Sequence, residues 1–271
     1  MSDSQQTVTV GGVALATRID GAKGLPWLVL SNSLASNYDM WNEQIGVLSH
    51  THRVLRFDTR GHGRSAVPPG PYSFKDLVGD VIGLLDHFGI EKADLMGLSL
   101  GGMTMLGVAI DHPARVKRVI CCDARSDAVP PFVASWDARV ASIKEAGGMR
   151  GILDFTMERW FTPAFRAARP DTIRAIEGMI LATNPEGYIG CTAALKQLDY
   201  KRSLGKIAAP SLFVCGAQDQ AAAPAVMREM AELTPGSTYA EVDPGAHICN
   251  LENPDRFNTI VAGWLDRPVK H

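Results

Sequence analysis

The chain has 271 residues, 46% apolar and 21% charged, with a formal net charge of −2. That length suits one large α/β domain with an insertion or two small domains, and the apolar content argues against disorder. The near-neutral charge supplies no basic face for phosphates, which argues against nucleic-acid binding.

The first residues, "MSDSQQTVTV", lack the charged-then-apolar pattern of a secretory signal, and no apolar run approaches the roughly 20 residues of a membrane span. Five cysteines (Cys121, Cys122, Cys191, Cys215 and Cys249) show no CxxC pairing. The expectation is a reduced, cytoplasmic protein without membrane attachment, cysteine-based metal site or other metal.

"TVTVGGVALATRID" alternates around Gly11-Gly12 and predicts a hairpin. "WLVLS" (27–31) and "RVLRFD" (53–58) predict short buried strands. The 74–89 stretch, "FKDLVGDVIGLLDHFG", has helical spacing and stops at a glycine. A strand "ADLMGLS", a helix "LGGMTMLGVAIDHP" and a strand "VKRVICCDA" follow. From about Arg125 to Leu204 the alternation gives way to a helix-rich segment. It resumes with a strand over 210–216, a helix near 224–233, a strand over 238–243 and a helix from Pro254 to Leu265. Alternation of this kind predicts a mostly parallel central sheet flanked by helices. The expected division is a core of residues 1–124 and 205–271, with a helical cap over 125–204 inserted before the last two strands.

Gly97-Leu98-Ser99-Leu100-Gly101 fits G-x-S-x-G where a predicted strand runs into a predicted helix. The glycines permit a turn tight enough to lift Ser99 out of the sheet, beside a helix N-terminus that favours negative charge. A serine nucleophile needs a base. His247, in "DPGAHICNLENP", follows the last predicted strand and is the candidate. His50 and His52 are expected at the surface, His87 and His112 at helix ends, and His62 as a loop anchor. Asp219, just beyond strand 210–216, is the candidate acid, with Asp123 its rival. The order Ser99, Asp219, His247 is the one expected on such a fold. The amides of Leu34 and Leu100 are candidates for an oxyanion hole.

Together these elements resemble the α/β-hydrolase superfamily over essentially the whole chain. Within it, "LSNSLASNYDMW", "RVLRFDTRGHGRS", "GLSLGG", "RWFTPAF" and "HICNLENP" are most similar to 3-oxoadipate enol-lactonases. The "SNSL" loop carries much of that similarity, because Asn32-Ser33 stands where most of the superfamily has His-Gly. Two features depart from it: Leu100 in place of a common methionine, and the charged "CCDARSDAVPPF" (121–132) beside the expected pocket.

The resemblance implies a cofactor-independent serine hydrolase that opens a small anionic lactone through an acyl-enzyme, as part of aromatic catabolism. A cation would be needed for the substrate carboxylate, and Arg125, Arg139, Lys144 and Arg159 are candidates. Trp136 and Trp160 are candidate pocket walls. The same-fold alternative is a carboxylesterase or a lactonase for another small ester or lactone. An alternative of another class is a non-catalytic, hydrolase-like binding protein. Oligomeric state is not legible in the sequence.

Overall fold

The computed structural model describes residues 3–268. Eight strands form one sheet: β1 (Asp3–Val10), β2 (Val13–Asp20), β3 (Trp27–Ser31), β4 (Arg53–Phe57), β5 (Ala93–Leu98), β6 (Val116–Cys122), β7 (Ser211–Gly216) and β8 (Thr238–Val242). Their spatial order is β1-β2-β4-β3-β5-β6-β7-β8, antiparallel at the β1–β2 and β2–β4 pairs and parallel elsewhere. All eight match the strands expected from the sequence.

The central strands are apolar runs because helices cover both faces of a parallel sheet. Every residue of β5 is buried, and so is every residue of β7. The covering helices nearest the centre are α2 (Phe74–His87) and α3 (Leu100–Asp111), with α1 (Asn42–Leu48) beside the loop after β3. Ser73 starts α2 with a reciprocal capping box to Asp76. The short α1 has no counterpart in the sequence expectations; a single 3-10 turn at Tyr38–Trp41 leads into it.

One histidine expectation fails. His52 is buried at 3% exposure, with Nε2 3.3 Å from the Asp94 carboxylate. Asp94 also takes a two-pronged contact from the Arg118 guanidinium at 2.7 and 2.8 Å. A buried carboxylate needs such partners, and the three are distant in sequence, which hides the cluster from local pattern. His50, by contrast, is exposed.

Between β6 and β7 lie five helices: α4 (Pro130–Ala146), α5 (Leu153–Trp160), α6 (Pro163–Ala168), α7 (Pro170–Leu181) and α8 (Pro185–Lys196). Four of the five begin with proline, and Thr162 and Asn184 cap α6 and α8 with their side chains. The two ends of this excursion pair: the Tyr200 amide donates to the Ser126 carbonyl at 2.7 Å and the Ala128 amide to that of Leu198 at 2.8 Å. The chain then adds α9 (Pro224–Leu233), the one-turn α10 (Cys249–Glu252) and α11 (Pro254–Leu265). Among the described residues no helix is long and apolar enough to cross a membrane.

Candidate active site

The parallel strands β3, β5, β6, β7 and β8 end at one edge of the sheet, and the loops leaving that edge carry the chemistry. Ser99 sits between β5 and α3 with φ 55° and ψ −116°, a left-handed conformation unusual for a side chain with a Cβ. The glycines around it are compulsory on steric grounds. A Cβ on Gly97 would lie 2.2 Å from the Gly101 carbonyl oxygen, and one on Gly101 would lie 2.2 Å from that of Ser31. The turn is closed by the Ser99 amide donating to the Cys122 carbonyl at 2.9 Å.

His247 follows β8, and its Nε2 lies 3.0 Å from Ser99 Oγ. Its Nδ1 lies 2.8 Å from Asp219 Oδ2. Because a carboxylate only accepts, this geometry puts the proton on Nδ1 and leaves Nε2 to accept from the serine hydroxyl. All three side chains come together as the sequence order predicts.

Asp219 lies in the turn after β7, and its other oxygen accepts the amides of Ala221 at 2.6 Å and Ala222 at 3.1 Å. Burial opposes its charge, but the neighbouring His247, with those amides, carries its carboxyl below the usual range. Asp123 behaves oppositely. Burial and the nearby Asp219 charge push it well above the usual carboxylate range, despite donation from Cys249 Sγ and the Gly216 amide. The pair therefore carries its negative charge on Asp219. The sequence left Asp123 as a rival acid; here it bonds the β7 backbone and Cys249, and Asp219 holds the imidazole.

The loop after β3 is fixed from below. Asn32 donates to the Phe57 carbonyl at 2.7 Å and accepts from the Trp41 indole at 3.0 Å. Asp58 gathers the amides of Tyr38 at 2.7 Å and Arg64 at 2.8 Å. Leu34 and Leu100 are both buried, and among the described residues neither amide donates to a protein acceptor. Buried amides without acceptors are costly unless something else fills them, which suits a site for a developing oxyanion.

Ser99, His247, Asp123 and Leu34 open on a cavity of about 290 Å³. Its far wall is built by α4, α5 and α8, and it brings together Arg125, Trp136, Arg139, Arg159 and Trp160 of the expected pocket residues. Lys144 is not among them: it is exposed in the last turn of α4. One helical face cannot direct every basic residue inward.

The arginines are not neutralised in the usual way. Arg139 lies 4.1 Å over the Trp136 ring, and Arg159 donates to the Gln220 carbonyl at 2.8 Å. Among the described residues neither guanidinium has a carboxylate within 4.0 Å. Burial, with the nearby positive Arg139, lowers the Arg159 pKa. Among the described residues Arg125 has one carboxylate within 4.0 Å, that of Asp127, at 3.9 Å. Sequence reasoning missed Tyr188 on α8, which is buried and lines the cavity near Arg139, whose positive charge partly offsets the rise that burial imposes on its phenol pKa. Only a tyrosine amid the small residues of that helix hinted at it.

Residues 26–254 match the family model described as the alpha/beta hydrolase fold. The chain belongs to that family. It is 36% identical to 3-oxoadipate enol-lactonase 2 of Acinetobacter baylyi, over 97% of both chains. Among solved structures it is similar to the enol-lactonase from Burkholderia xenovorans LB400, with 37% identity, a TM-score of 0.93, and coverage of 97% of this chain and 100% of that one. A malate-bound thermophilic esterase from Thermogutta terrifontis is 28% identical with a TM-score of 0.89, covering 97% of this chain and 98% of that one.

Proposed function

We propose that this α/β hydrolase opens a small carboxylated lactone, with 3-oxoadipate enol-lactone as the substrate that best fits. The observation carrying this reading is a Ser99–His247–Asp219 chain of hydrogen bonds facing a cavity whose wall holds Arg139 and Arg159, neither with an acidic partner among the described residues. Residues 125–204 act as the cap that supplies this wall. Similarity to two named enol-lactonases supports the substrate class.

The substrate carboxylate lies against Arg139 and Arg159, since charge-assisted hydrogen bonds to guanidinium suit a planar carboxylate. Ser99 Oγ then attacks the lactone carbonyl as His247 Nε2 takes its proton. The tetrahedral oxyanion is held by the amides of Leu34 and Leu100; loss of one such donor typically costs about 2.7–4 kcal/mol. Collapse breaks the ring C–O bond, the leaving enolate takes the proton from His247, and the enol becomes a ketone. Water, deprotonated by His247, attacks the acyl-enzyme, and the same imidazole returns a proton to Ser99 Oγ. Asp219 keeps the imidazole in the required tautomer and balances its transient charge.

The test is hydrolysis of 3-oxoadipate enol-lactone, followed by its ultraviolet absorbance, for wild type and Ser99→Ala, with a short-chain p-nitrophenyl ester in parallel. Fast, serine-dependent lactone turnover far exceeding ester turnover is expected. Serine-dependent ester cleavage with slow lactone opening would reject the named substrate in favour of another small ester or lactone. Turnover that survives Ser99→Ala would reject the mechanism.

A further inference from the structure

Glu252 closes α10, five positions after His247, and is 9% exposed. Among the described residues its carboxylate has no cation within 4.0 Å. It instead joins two segments of chain. Oε1 accepts the Thr162 amide at 3.1 Å and the Thr162 hydroxyl, and Oε2 accepts the Ala246 amide at 2.9 Å. A second bond joins the same segments, from the Ile248 amide to the Trp160 carbonyl at 3.1 Å. Both neighbours of His247 are thereby fastened to the joint between α5 and α6. That joint carries Arg159 and Trp160, which line the cavity.

Burying a carboxylate without a cation is costly, so its hydrogen bonds must compensate. A carboxylate is well suited to this place because it only accepts, and so can gather N–H groups from both segments at once. A glutamine of the same shape would turn its NH₂ against one of them. Forming α10 does not itself require the carboxylate, since the Leu251 and Glu252 amides already donate to the Ile248 carbonyl.

We infer that Glu252 is a positioning residue for His247: it locks the loop bearing the imidazole to the pocket wall bearing Arg159. The 3.0 Å approach to Ser99 and the placement of the wall then form one rigid unit. The inference rests on the proposed roles of Ser99 and His247.

The experiment compares wild type with Glu252→Gln, which weakens the tie from the loop side, and Thr162→Val, which weakens it from the wall side by removing the hydroxyl while the amide still donates. Thr162 Oγ1 also caps α6 through the Phe165 amide at 3.2 Å, so circular dichroism and Tm record that separate cost. Competent sites are counted with a fluorophosphonate, and kcat per counted site is measured with p-nitrophenyl acetate and with the lactone. The low-field proton resonance of His247 Nδ1–H is recorded without substrate.

The expected result is at least a tenfold fall in kcat per counted site in each folded variant, with a shifted or broadened low-field resonance. The double variant should be no slower than the slower single one, because both changes weaken one tie. A folded Glu252→Gln with wild-type kcat per site and an unchanged resonance would overturn the inference, as would losses that multiply in the double variant. Failure of the underlying hydrolase reading shows separately, as turnover that survives Ser99→Ala. In that event the resonance alone decides whether Glu252 places the imidazole.

Discussion

Arg139 and Arg159 share one aromatic neighbour: their guanidinium carbons lie 4.7 and 5.3 Å from the centre of the Phe155 ring. Two cations gathered this closely, with no carboxylate beside either among the described residues, repel until an anion arrives. Arg139→Met should therefore lower kcat/KM for the carboxylated lactone by about 10- to 150-fold, mainly through KM. That range corresponds to the ~1.5–3 kcal/mol of a hydrogen bond to a charged group. Turnover of uncharged p-nitrophenyl acetate should change by no more than about twofold. Equal losses on both substrates would remove Arg139 from carboxylate recognition.

The Asp219 carboxylate only accepts, and so holds the Nδ1–H tautomer of His247. Asp219→Asn can donate to Nδ1 instead, which puts the proton on Nε2, where the serine hydroxyl needs an acceptor. A fall in kcat of about 10⁴ is expected with little change in KM. Asp123→Asn should cost far less kcat per folded site, because Asp123 does not touch the imidazole in this arrangement. Single-turnover kinetics on both variants check the contrast.

The left-handed backbone at Ser99 is strained for any residue but glycine. Ser99→Gly should abolish hydrolysis and yet raise the unfolding free energy by about 1 kcal/mol, the strain relieved outweighing the extra flexibility of glycine in the unfolded chain. Urea unfolding should show a higher midpoint with an unchanged slope.

His62 is fully buried with Nδ1 3.2 Å from the Arg60 carbonyl, and burial holds its pKa down at about 4 against an ordinary 6.5. Between those values the folded state binds fewer protons than the unfolded one, so stability rises with pH. The contribution is full above about 6.5 and is lost as the pH falls toward about 4. The loss should amount to about 3 kcal/mol. Unfolding free energies of wild type and His62→Gln, measured at pH 7 and near pH 4, should differ by that amount in their pH dependence.

The strand–turn–helix around Ser99 was legible because its signals are local: an apolar run, two glycines, and a helical run behind them. Asp219 and His247 were legible because each follows a strand, and parallel strands deliver their C-terminal ends to one edge. Contacts between remote segments were not. Tyr188 reaches Arg139 from another helix, and Glu252 reaches Thr162 across 90 positions. His52 looked like a surface residue because nothing near it in sequence announces Asp94 or Arg118. Lys144 looked as plausible as Arg139, five positions away on the same helix, since the polar and apolar positions of α4 are mixed and its inward face cannot be read from periodicity.

The pairing of Asp127 with Asp199 means that the helical excursion departs from the sheet and rejoins it at one narrow neck. Joining the ends of a long chain costs only slightly more entropy as the chain lengthens, and here the joint is made by backbone groups that no side chain has to supply. In terms of connectivity, β6 and β7 pair directly in the sheet, and the neck holds the two ends of the excursion together. A change beyond the neck therefore alters the cavity wall without passing through the strands that position Ser99, Asp219 and His247.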